Sequence, residues 1–179
     1  MPPDNNSTAV KRSVPAKRGR AELIRWSVQY RESVGAAAED CIELIRQLLE
    51  TRSLKESSID RLLELLEILE KLSADPVTIS CALLHVAGLE GEIDPGVMKS
   101  IPAHVRIQLD ELHKLKHYES GQSDSGTERS AEGLRRLLLA LVNDVRVVLI
   151  DLSWQLVLLR RAKEDSALAE SLARETRLI

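Results

Sequence analysis

Four histidines, His85, His104, His113 and His117, are the side chains whose type could do acid–base or metal chemistry near neutral pH. His113 and His117 stand four apart, so a helix would project both from one face. Two imidazoles at that spacing can hold adventitious zinc or nickel. A working site needs a third ligand or a glutamate base, so a solvated helix face is the simpler reading. His85 lies inside the apolar run ISCALLHVAGLEGE. By residue type alone it reads as a satisfied core histidine, because a metal site needs three or four convergent donors. The sequence carries no glycine-rich phosphate loop, no nucleophile elbow and no Cys/His zinc spacing. Its two cysteines, Cys41 and Cys81, fall in apolar stretches and read as small core residues, not as a disulfide framework.

The elements that must position these residues are helices. Leu dominates the apolar content, Phe is absent, and the aromatics are Trp26, Tyr30, Tyr118 and Trp154. Leu, Ala, Glu and Arg favour helix, whereas strands draw on β-branched and aromatic residues. With 44% hydrophobic and 30% charged residues over 179 positions, one all-α domain with a substantial core is expected. A net charge of −3 gives no reason to expect DNA as a partner. No apolar core follows the N-terminal basic residues, so no signal peptide is expected. The longest apolar run, residues 145–159, contains Asp151 and Gln155 and is too short to span a bilayer comfortably. The expectation is a cytoplasmic protein without a membrane partner.

Residues 1–20 read as a disordered basic tail carrying Lys11, Arg12, Lys17, Arg18 and Arg20, with a nucleic-acid or ribosome contact as the sharper alternative. The domain then occupies 21–179. Leu23, Trp26 and Tyr30 share a helical face. Cys41, Leu44, Ile45, Leu48 and Leu49 follow the spacing of one buried stripe. Ser57 or Ser58 is expected to cap the next helix, which carries Ile59, Leu62, Leu63, Leu66, Leu69 and Leu72. Asp75-Pro76 and Asp94-Pro95 are start signals, an acceptor for free amides followed by a residue that needs no N–H bond. The helix after Asp75 is apolar nearly all round, with Gly88 as its stop. Another helix is expected over 103–118. A polar Ser/Gly loop over 120–130 follows, then a stripe of Leu134, Leu137, Leu138, Leu141 and Val142. Asp144 is expected to cap a central helix over 145–161, with Arg160 and Arg161 at its C-terminal end, where the helix dipole favours cations. A last helix starts near Asp165. The abrupt end on Leu178-Ile179 suggests a piece of a longer protein.

Two stretches carry a resemblance. LLEILEKLSADPVTISCALLHVAGLEGEI (65–93) resembles the helix pair of the RelA/SpoT family, which makes and degrades the alarmone (p)ppGpp. In that family a helix with an Asp-Pro start ends in a metal-binding His-Asp pair followed by Glu-Asp. SAEGLRRLLLALVNDVRVVLIDLSWQLVLLRRA (130–162) is similar to the family segment that ends in Ala-Asp-Arg-Leu-His-Asn-Met-Arg. ARETRLI (173–179) resembles the lead into the synthetase domain.

The resemblance implies an HD-type hydrolase fold, an all-helical bundle in which two His and two Asp hold Mn²⁺ to activate water. It also implies that the metal site is lost here. His85 stands at the His of the pair, but Val86 stands at its Asp. Leu89 and Glu90 align with the Glu-Asp pair. Trp154 stands at the Asp of the later motif, and Gln155, Val157 and Leu158 replace its Arg, His and Asn. The first ligand position falls near Arg61. No metal, cofactor or catalytic residue is therefore expected.

The leading expectation is an inactive hydrolase-like domain of a GTP pyrophosphokinase of the RelA type, acting on the synthetase domain of its own parent chain in stringent-response alarmone synthesis. Ribosome association of the parent and a homodimer are further expectations of the resemblance. The alternative is a guanine-nucleotide or (p)ppGpp sensor without hydrolysis, with Arg160 and Arg161 as phosphate ligands. Residual hydrolysis through His85 and Glu90 is the third reading, and it lacks a metal or a water-activating dyad.

Overall fold

A computed structural model describes residues 18–120 and 144–162, the side chains of 116–120 excepted. The expected tail up to Lys17, the stripe at 134–142, the helix from Asp165 and nearly all of the 120–130 loop lie outside the described residues. Among the described residues every regular element is helical. The elements are α1 (Arg20–Val34), a 3-10 turn (Gly35–Ala38), α2 (Glu39–Glu50), α3 (Glu56–Lys71), α4 (Pro76–Leu89), α5 (Pro95–Ser100), α6 (Ala103–Ser120) and α7 (Val145–Ala162).

The centre of the bundle is α4. Ten successive residues, from Thr78 to Ala87, are buried. A helix that is apolar on every side needs partners on every side, and α4 touches α2, α3, α6 and α7. Its small residues Ser80, Cys81, Ala82 and Ala87 let those neighbours approach. This corrects the expectation that α7 is central. Val147, Ile150, Trp154 and Val157 of α7 face the core, while Val145, Leu152 and Leu156 are exposed. Leucines around a helix do not say which of them meets a partner.

Three Asp caps hold the helix starts. Asp75 Oδ1 accepts from the Thr78 N–H at 2.7 Å and from its hydroxyl at 2.9 Å. Asp94 Oδ1 accepts from the N–H of Gly96 at 2.7 Å and of Val97 at 3.3 Å. Asp144 Oδ1 accepts from the Arg146 N–H at 2.9 Å. Two expected boundary signals fail. The cap position of α3 is Lys55, with no side-chain cap bond, and Ser58 is instead fully buried inside the helix. Gly88 lies within α4, and the left-handed glycine of the following turn is Gly91.

The helical part also begins before Ala21. Arg20 opens α1, and Arg18 Nε lies 3.1 Å from Asp60 Oδ1 on α3, with Arg18 also paired to Glu67. From far along the chain, Arg161 Nη1 reaches the other oxygen of the same carboxylate, Asp60 Oδ2, at 3.1 Å. Arg161 and Arg160 reach Glu64 at 3.3 and 3.4 Å. One acidic face of α3 thus holds both the approach to α1 and the end of α7.

Candidate functional site

The C-terminal half of α4, the first half of α3 and the second half of α7 meet at one place, because each turns its apolar face to the others there. His85 of α4 is 2% exposed and Trp154 of α7 is 4% exposed. The two rings meet edge to face, with centroids 6.1 Å apart and planes at 89°. Arg61 of α3 brings its Cζ within 5.9 Å of the same indole centroid. Arg61 Nη2 also lies 2.8 Å from Glu90 Oε1 and 3.4 Å from Ser58 Oγ. Lys55 Nζ closes the far side of Glu90, 3.9 Å from Oε2 and 2.5 Å from the Glu90 carbonyl oxygen. His85 and Glu90 from α4 and its end, Arg61 from α3 and Trp154 from α7 therefore form one continuous set of contacts.

The other sequence-picked positions do not join it as polar groups. Val86 is 1% exposed and belongs to the apolar core. Leu89 is exposed. Leu158 is partly buried against the core, and Val157 is fully buried. Gln155 points back along its own helix, its Nε2 donating to Asp151 Oδ2 at 3.0 Å.

The cluster does not fit the divalent cation that the resemblance implies. A cation needs deprotonated acceptors. Val86 offers none, and an indole N–H only donates. The carboxylate of Glu90 already faces two cations, Arg61 and Lys55. Among the described residues, no three His, Cys, Asp or Glu side chains converge in a way that could hold a metal ion. What the arrangement can do is close the space between three helices with a ring, a guanidinium and a carboxylate that satisfy one another.

The remaining candidates lie elsewhere. His104 and His113 are exposed on α6, and the side chain of His117 lies outside the described residues. Arg160 and Arg161, the expected phosphate ligands of the sensor reading, are paired with Glu64 and Asp60. Residue reading missed Asp151 as part of the interior. It is 1% exposed, three residues before Trp154. Its signal was present, a carboxylate and an amide four apart in the longest apolar run. Gln108, buried at 2% exposure on α6, had no comparable signal.

The HD domain family model matches residues 37–179. The GTP pyrophosphokinases of Escherichia coli (strain K12) and of Shigella flexneri are each 28% identical to this chain over 105 residues. The match covers 56% of this chain and 14% of those proteins, so the chain spans only a small part of the length of these curated relatives. No solved structure matches.

Proposed function

The chain belongs to the HD domain family, and from that premise we propose that it is a catalytically inactive, (p)ppGpp hydrolase-like domain of a GTP pyrophosphokinase. Its role is regulatory: it packs on the synthetase domain of its parent chain and biases that domain between states during alarmone synthesis. Such coupling requires a contact surface with two arrangements. The Mn²⁺ site of the family is lost, and the domain needs no cofactor.

One observation carries the reading. Where a hydrolase would gather acceptors around a cation, His85 faces the indole of Trp154, and Glu90 is neutralised by the Arg61 guanidinium 2.8 Å away. A fixed cation on the surviving carboxylate disfavours a second one, and a single imidazole does not hold Mn²⁺ usefully. The similarity to GTP pyrophosphokinases supplies the substrate class.

The test is titration calorimetry of the 179-residue chain with ppGpp and Mn²⁺. No heat and no pyrophosphate release is the expected result. Sustained heat with pyrophosphate release would overturn the inactive reading. A saturable isotherm without turnover would favour the nucleotide sensor in its place.

A further inference from the structure

Gln108 of α6 is a buried side chain with neither end satisfied. It is 2% exposed, and neither its Oε1 nor its Nε2 has a hydrogen-bond partner. A primary amide carries two N–H donors and a carbonyl acceptor. Sealing all of them away from water is disfavoured, so an unpaired buried amide asks for a state of the protein that uses it. Gln108 borders a cleft of about 450 Å³ that it shares with His104, Ile107, Glu111, Asp144 and Arg146. That volume lies within the range of small-molecule sites.

The lining decides the ligand chemistry. The lining arginine is committed: Arg146 donates to Asp144 at 2.9 Å and lies 3.4 Å from Asp75. Glu111 is paired to Lys114 at 2.7 Å. Among the described lining residues, an incoming phosphate would meet the carboxylates of Asp144 and Glu111 and no uncommitted arginine, so an uncharged ligand is favoured. Ile107 is 64% exposed, and the His104 ring lies on the same helix three residues earlier. Together they offer an apolar and a flat surface. The Gln108 amide holds its donor and acceptor side by side in one plane. That edge is complementary to the paired donor and acceptor of a nucleobase, as in bidentate Gln–adenine pairs.

We infer that this cleft binds an uncharged nucleobase or nucleoside, through a bidentate bond from the Gln108 amide, with Ile107 and His104 as its walls. The amide atoms are buried, so engagement turns the Gln108 side chain about its torsions. The inference does not rest on the hydrolase-like reading. Its residues lie on α6 and at the start of α7, where Arg146 is roughly 12 Å along the helix from Trp154 at 1.5 Å per residue.

The experiment is an NMR titration of the ¹⁵N-labelled full chain with adenosine, guanosine and AMP, read on the Gln108 side-chain NH₂ pair. Adenosine or guanosine should move that pair saturably, and AMP should bind no tighter than adenosine. Gln108→Leu, which removes both unpaired atoms, should fold and bind at least about ten-fold more weakly. Ile107→Glu leaves the amide in place and should also weaken binding, so the test survives a poorly folded Q108L. Four results would overturn the inference: an unmoved Gln108 pair, equal binding by the folded variants, AMP binding more than about ten-fold tighter than adenosine, or ordered water alone on the amide with no nucleoside bound.

Discussion

The imidazole of His85 meets the indole of Trp154 edge to face at 6.1 Å, and the guanidinium carbon of Arg61 lies 5.9 Å from the same indole centroid. Trp154 is therefore shared between a buried ring on α4 and a cation on α3. Edge-to-face rings and a cation near an indole are each modestly favourable, about 0.5–1.5 kcal/mol for the ring pair and about 0.5–2 for the cation. They act together only while Trp154 fills the space between the three helices. That makes residue 154 the point at which to test whether the site has become core.

Trp154→Asp should lower the unfolding free energy by about 3–5 kcal/mol, since it buries an unpaired carboxylate and removes a large apolar side chain. Buried Asp151 lies three residues away on the same helix, so the new charge would also meet a carboxyl neighbour. Trp154→Phe keeps the apolar contact and should cost clearly less. Urea denaturation followed by far-UV circular dichroism gives both numbers. A W154D variant as stable as wild type would show that Trp154 does not anchor the bundle.

The Arg61–Glu90 pair should couple weakly. Its side chains are 33% and 20% exposed, and Lys55 stands by to take over Glu90. A double-mutant cycle with Arg61→Ala and Glu90→Gln should give about 0.5–1 kcal/mol. Arg61→His should not create Mn²⁺ binding measurable by electron paramagnetic resonance, because Val86 and Trp154 still offer no acceptors. Stoichiometric Mn²⁺ uptake by R61H would contradict that account of the site.

The Asp caps and the burial of α4 were legible in the sequence because their signals are local, although the central place was expected of α7. Asp75-Pro76 and Asp94-Pro95 specify a helix start by chemistry that needs no partner, and the run from Val77 to Ala87 can satisfy its apolar surface only inside a bundle. Which face of α7 turns inward was not legible, since its leucines encircle the helix and only the neighbours decide. The same holds at the candidate site. Alignment with a family pattern pointed to His85, Glu90, Arg61 and Trp154. The Arg61–Glu90 ion pair joins residues 29 apart, so only the packing of α3 beside the end of α4 reveals it. Arg18 reads as part of a tail because residues 1–20 hold no periodic apolar residue, and its acceptors lie 42 and 49 residues further on.

Cys41 and Cys81 should be inert in the folded protein. Both are fully buried, and burial pushes each thiol up to about 12. The thiolate is the nucleophile, so almost none exists at neutral pH. Ellman's reagent should label neither at pH 8 in buffer and both in urea. Rapid labelling of the native chain would mean that α2 and α4 open locally.

Stability should fall steeply below about pH 4, and Asp60 should account for part of the slope. At Asp60, burial pushes the carboxyl up, but the hydrogen bonds from Arg161 and Arg18 outweigh it and hold the group below its usual value of 3.8. At Asp75, burial is likewise outweighed by the N–H and hydroxyl of Thr78 and by Arg146. At Asp144, the bond from the Arg146 side chain lowers the value against burial, and the Arg146 N–H adds to it. A carboxylate with a depressed folded pKa binds protons more weakly in the native state than in the unfolded chain. Its contribution is fully present above the unfolded pKa, about 3.9, and is lost as pH falls through the folded values. The urea midpoint should therefore change little between pH 7 and 5 on account of these groups, then drop towards pH 2. Asp60→Asn removes one of them and should leave a protein that is less stable at pH 7 and loses less on acidification. Asp75, more exposed than Asp60, should contribute less to the slope. Superimposable acid slopes for wild type and D60N would mean that Arg18 and Arg161 do not hold Asp60 in solution.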